Sequence, residues 1–347
     1  MRPVRPTIVK QLALAFVCLA AAGMAQAPVV GDINFYGLRI LTPQRILQSI
    51  RLKTGDPLPP SKGDLEDRLA EIPGVVLARV EAICCEGREA VLFLGIEEKG
   101  APHPTFRAGP TGAVNLPEDV MELYGRYLAA VQRAAARGTD AEDLTAGHAI
   151  MADPDARALE DRFGEYATTH LDMLRDALRN DPDPEQRAAA AAMIGYAPNK
   201  ADIIEDLQLA IQDPDETVRA NGLHALHAVA VLASSRPALG LRIPATWAVE
   251  LLHSVVLTDR TGAVQLLLSL TDHGAAPVLG QIRERALDAV LEMARWKTPR
   301  YALPPFLLAG RLAGMKDQEV EQAWQKGDRE AVLRKAAGQT APRKRLQ

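Results

Sequence analysis

The sequence predicts a mainly α protein, an α-solenoid of paired helices preceded by a small α+β domain of order β-α-α-β-β. Three observations carry this reading. The stretch "NDPDPEQRAAAA" from Asn180 returns 32 residues later as "QDPDETVRANGL" from Gln212, and a fixed period of this size marks stacked helical units. The chain is 48% hydrophobic but only 4% aromatic, so its core must be built from Ala, Leu, Val and Ile, which suits closely spaced helices. Between Val29 and Lys99, by contrast, apolar and polar residues alternate in short runs, the period of half-buried strands.

The first element lies outside the fold. Arg2, Arg5 and Lys10 precede the apolar run Leu12–Ala25, which ends in small residues; this is the layout of a secretory signal peptide, expected over residues 1–25. The run is shorter than the ~20 residues of a spanning helix, and Gly23 and Ala25 sit where cleavage after Ala25 needs small side chains. Cys18 follows the bulky Phe16-Val17, which argues against a lipoprotein box. An uncleaved anchor is the alternative. Cleavage removes three cations and no acid, making the chain three charges more negative than its full-length −4. That excludes a strongly basic nucleic-acid-binding face. An exported, periplasmic protein is expected, with no integral membrane span after signal removal.

The α+β domain is expected over 29–99. "VVGDINFYG" alternates and stops at Gly37. Thr42 and Pro43 have the chemistry of an N-cap and first helical residue, and Ile46, Leu47 and Ile50 repeat at helical spacing. A second helix carries Leu65 and Leu69 on one face. "VVLARVEAICC", the turn "EGRE" and "AVLFLGIEE" then read as a hairpin. Gly37, Gly55-Asp56, "IPGV" and Glu97-Glu98 in this order resemble a POTRA domain. The resemblance implies a periplasmic module that binds a partner by strand addition at the sheet edge Leu77–Cys84, with Arg79, Glu81, Ile83 and Cys85 as candidate binding residues. POTRA domains usually precede an outer-membrane β-barrel; no barrel-like series of alternating segments follows here. Cys84 and Cys85 read as two strand residues on opposite faces, one buried and one exposed; a vicinal disulfide or a cross-chain bridge through Cys85 is the alternative.

Residues 100–116, rich in Pro and Gly, read as a linker or irregular lead-in. From residue 117 to 338 the period is helical, and a basic tail, 339–347, follows. Val120, Tyr124, Tyr127, Leu128 and Val131 are expected on one face of a helix ending at Gly138, and a long helix is expected from about Asp155. The clearest repeats lie within 171–296. "LQLAIQDPDETVRANGLHAL" and "LRDALRNDPDPEQRAAAAAMI" resemble HEAT repeats. The resemblance implies a ladder along the stack formed by Asp181, Arg187, Asp213 and Arg219. Arg283, two periods beyond Arg219, is expected to occupy the same place, while the intervening "VELLHSVVLTD" lacks both the Asp-Pro and the Arg and reads as degenerate.

The acidic clusters lack the alternating ligands and central Gly of a calcium loop. Asp at a helix start caps free N–H groups and complements the helix dipole, so these carboxylates read as helix starts. His224 and His227 share a helix face and are weak metal candidates without a visible third ligand. No nucleophile elbow, phosphate loop or metalloprotease motif occurs, and no cofactor is expected. The function expected is a non-enzymatic protein-binding scaffold or adaptor with partners in the cell envelope, possessing a solenoid surface and a sheet edge and lying in the periplasm or against the outer membrane. The alternative is a lyase-like HEAT enzyme, or a cofactor or metal carrier, with a site near His224 and His227.

Overall fold

The computed structural model describes residues 28–272 and 275–338. The expected signal segment, 1–25, and the basic tail, 339–347, lie outside the described residues. The chain begins with β1 (Val29–Tyr36), α1 (Pro43–Ile50), α2 (Lys62–Ala70), β2 (Val75–Glu86) and β3 (Glu89–Glu98). Thr42 caps α1 by accepting from Arg45 N–H, with Pro43 at the first position, and Ser61 caps α2 by accepting from Asp64 N–H. The sheet order is β1-β3-β2, with β1 parallel and β2 antiparallel to β3.

Alternation along β3 gives the sheet two apolar faces. Leu92, Leu94 and Ile96 join Ile46, Ile50, Leu65 and Leu69 beneath α1 and α2. Phe93 points the other way and belongs, with Tyr36, to the core of the helical region.

The helical region comprises α3 (Glu118–Arg137), β4 (Glu142–Asp143), β5 (Ile150–Met151), α4 (Pro154–Thr169), α5 (Leu171–Asn180), α6 (Pro184–Ile194), α7 (Lys200–Ala210), α8 (Glu216–Ser235), α9 (Thr246–Leu251), α10 (Leu257–Thr271), α11 (Ala276–Arg285), α12 (Leu287–Met293), α13 (Pro299–Leu312), α14 (Asp317–Gln325) and α15 (Arg329–Gly338). It is a mainly α solenoid. α6, α8, α10 and α13 pack successively against one another, while α5, α7, α9 and α12 supply the other helix of each pair. The alanine run 188–191 is fully buried in α6, where small side chains allow α8 to approach. Gly222 lets α8 close on the end of α7: a Cβ there would lie 2.8 Å from that of Ala210. Among the described residues no helix is long and apolar enough to cross a membrane.

Two helical expectations need correction. The long helix expected from Asp155 is two helices, α4 and α5, broken at His170, whose φ of −131° leaves the helical range. Thr168 and Thr169 hydroxyls donate to the carbonyls of Gly164 and Glu165 just before the break, a competition that weakens a helix end. Leu128, expected on the buried face of α3, is 40% exposed; Leu123 and Ala134 are buried instead.

Candidate functional site

The Asp-Pro-Asp turns build the spine of the solenoid. In each, the second Asp is the cap: Asp183 accepts from Glu185 N–H, and Asp215 from Thr217 and Val218 N–H. The first Asp folds back to accept from the second, at 2.8 Å for Asp181 and 2.9 Å for Asp213, and is buried. Arg187 donates through Nη1 to the carbonyls of Asp181 and Pro182 in its own turn, and through Nε and Nη2 to both oxygens of Asp213 in the next. Arg219 repeats this on the carbonyls of Asp213 and Pro214. Each arginine therefore ties its own turn to the following repeat. Asp181 Oδ2, at the open end of this ladder, is buried without a partner among the described residues, and burial raises its pKa.

The third rung corrects the reading of "VELLHSVVLTD" as lacking the arginine. Arg260 Nε donates to Ser254 O at 2.6 Å, the six-residue relation that Arg187 and Arg219 have to their turns. Ser254 replaces the first Asp, and Asp259 supplies the carboxylate that Arg219 grips. Arg283 is not a rung: it lies in α11, ahead of the α12–α13 pair, and donates to Leu312 O. At the fourth turn Trp296 stands where Asp181, Asp213 and Ser254 stand, and Ala302 where the arginines stand.

The ladder ends there because the sheet docks on it. Trp296 Nε1 donates to Phe35 O at 3.0 Å, and its ring meets Tyr36 and Phe93 edge-on, with centroids 5.9 and 5.1 Å apart. Asn34 donates to Thr298 Oγ1 and accepts from Lys297 N–H. Tyr36 donates to Val255 O at 2.9 Å, and the Arg260 guanidinium lies 4.7 Å above the Tyr36 ring. Burial raises the Tyr36 pKa beyond the ordinary phenol range.

Residues 100–116 are irregular, but they are fastened along the same spine. Arg107 donates to Asp213 and to Leu178 O, Phe106 lies 4.0 Å beneath the Arg219 guanidinium, and Leu116 N–H donates to Gln186. A spacer free of the helices is thus excluded.

β2 is an edge strand, but its middle is not bare. Val80 N–H, which points outward, donates to Glu66 Oε1 at 2.8 Å, and Arg79 Nη1 donates to Ala78 O. Glu81 pairs with Lys62 at 3.0 Å. By register with Phe93, Arg79, Glu81 and Ile83 share the sheet face turned toward the helices, and Ile83 packs on the helical core. Cys84 and Cys85 are joined by a vicinal disulfide; both are exposed, so the expectation of one buried and one exposed cysteine is corrected. Along this strand Val76, Leu77, Ala82, Cys84 and Cys85 are exposed.

His224 and His227 do not act together. His224 Nε2 pairs with Glu142 at 2.8 Å; burial opposes protonation, but the Glu142 carboxylate outweighs it and the pKa rises. Burial, with the His224 charge, pushes His227 down to about 4. Among the described residues no group of three His, Cys, Asp or Glu could hold a metal ion.

A cleft of about 1090 Å³ opens between the docked sheet and the turn after α9 with α10–α12, slightly above the ~300–1,000 Å³ range of ligand sites. One wall is the end of β1 and β3, with Gly37, Arg39 and Glu97; the other carries His253, Arg283 and Asp288. Glu98 fixes the first wall by accepting from the N–H groups of Arg39, Ile40 and Leu41. Arg283 Nε is buried there without a partner among the described residues. Sequence reasoning missed this cleft, because its walls come from segments some 250 residues apart.

Residues 171–241 match the family model described as HEAT repeats. That span holds α5 to α8 and the rungs Arg187 and Arg219. No curated protein matches the chain.

Proposed function

We propose that the protein is an exported, non-enzymatic scaffold of the cell envelope, and that a partner protein lays an extended segment of mixed charge into the cleft between the sheet and the solenoid. The observation that carries this reading is the cleft itself. Its two walls are held rigidly by Trp296, Tyr36 and Glu98, and they present Arg39 and Arg283 beside Glu97 and Asp288. HEAT repeats commonly serve as protein-interaction scaffolds, and solenoids offer extended surfaces for that purpose. The β-α-α-β-β order supports a POTRA-like first domain, with the edge strand β2, exposed at Val76, Leu77, Ala82, Cys84 and Cys85, as a second contact. The joined cysteines and the signal-like first residues support an oxidising compartment outside the inner membrane.

Two measurements test this. N-terminal sequencing of the mature protein is expected to begin at Gln26; retention of Met1 excludes cleavage. Tagged wild-type protein is expected to recover a discrete envelope protein that Arg283→Glu and Asp288→Arg variants lose while staying folded. Recovery unchanged by both charge reversals overturns the cleft as the binding site.

A further inference from the structure

Lys200 begins α7 and is only 6% exposed. Its ammonium donates to Gly195 O at 2.7 Å and lies 3.4 Å from His148 Nδ1. No carboxylate of the described residues forms an ion pair with it. An ammonium buried without a counter-ion is costly, by several kcal/mol in general, and burial lowers this pKa to about 8. Gly147, at φ 81°, seals the lysine from above: a Cβ there would lie 3.1 Å from Lys200 Cε and 2.7 Å from Leu232 Cδ2.

The lysine lines a pocket of about 370 Å³ between α4, the segment 146–150 and the start of α7. Arg157 lines it too, with Nε held by Met151 O at 2.8 Å. Two acids face the same space. Glu160 is occupied, accepting from Met151 N–H at 2.8 Å and from the Tyr196 hydroxyl at 3.0 Å. Asp161 stands exposed at the rim. Lys200 and Arg157 are therefore the cations left to receive a ligand.

We propose that this pocket binds a small organic carboxylate, which supplies the counter-ion that Lys200 lacks, with Arg157 as the second contact. The site is separate from the cleft and does not depend on the scaffold reading. It needs no covalent step.

The test is trace acetylation of the full mature chain with acetic anhydride, read lysine by lysine by mass spectrometry, with and without millimolar succinate. Lys200 is expected to be protected severalfold while Lys316 and Lys326 are unaffected. By calorimetry, Lys200→Met is expected to abolish succinate binding, and Arg157→Ala to weaken it about tenfold, the loss of one charge-assisted contact. Inorganic phosphate runs in parallel. Absence of protection by succinate, protection by phosphate alone, or unchanged succinate binding by Lys200→Met overturns the proposal.

Discussion

Arg219 and Asp259, 40 residues apart, are joined by three hydrogen bonds of 2.8 to 3.1 Å in a site closed to solvent. Ser254 Oγ adds a fourth bond to the same carboxylate at 2.6 Å. Removing one partner of such a pair strands a buried charge. Asp259→Ala is expected to lower stability by about 3–5 kcal/mol, measured by denaturant unfolding. The double variant Arg219→Met/Asp259→Leu should recover most of that loss, because no charge is then left unpaired. A double variant as unstable as the single one would show that the rung acts through something other than charge pairing.

Trp296 joins sheet to solenoid. Trp296→Ala removes a buried ring and leaves Phe35 O without its donor, for an expected loss of about 3–5 kcal/mol. Limited proteolysis should then cut within residues 99–117 faster than in the wild type. Equal protection in the variant would show that the docking rests on other contacts.

The His224–Glu142 pair predicts a pH dependence. The folded-state pKa of His224 is raised, so its contribution is fully present below the unfolded value of about 6.5 and is lost as pH rises through the folded pKa. The side chain is 43% exposed, which limits the contribution to about 1 kcal/mol or less. Glu142→Gln should therefore destabilise the protein at pH 5.5 and have almost no effect at pH 9; the reverse order would contradict the assignment.

Two glycines should respond in opposite directions. Gly37 has φ 83°, and a Cβ there would fall 2.1 Å from Ile96 O, so Gly37→Ala should destabilise by more than the ~1–2 kcal/mol of the left-handed conformation alone. Gly125 is a helical residue with open space around its Cβ position, so Gly125→Ala should stabilise by about 0.5–1 kcal/mol. Thermal melts of the two variants decide.

Much of this architecture was legible where local chemistry repeats. The Asp-Pro-Asp turn recurs with its arginine at a fixed offset, and Thr42-Pro43 announces a helix start, because capping and ring geometry are properties of a few adjacent residues. The third rung was hidden because Ser254 does the backbone work of an Asp while the carboxylate moved to Asp259, so no motif survives to be matched. Arg283 was misassigned because Arg260 lies 41 residues beyond Arg219 rather than 32; the insertion after α8 shifts the register. The docking of Trp296 on Phe35 and the path of Phe106 beneath Arg219 join segments distant in sequence, and no periodicity encodes such contacts.

The central claim is that the cleft between sheet and solenoid receives a partner segment. A photo-reactive phenylalanine analogue is placed at Asp288, in the cleft, and separately at Gln208, in a separate groove beside residues 239–244, and intact cells are irradiated. One discrete cross-linked envelope protein is expected from position 288 and none from position 208, with the 288 adduct abolished by Arg283→Glu. Equal labelling from both positions, or an adduct at 288 that persists with Arg283→Glu, would contradict it.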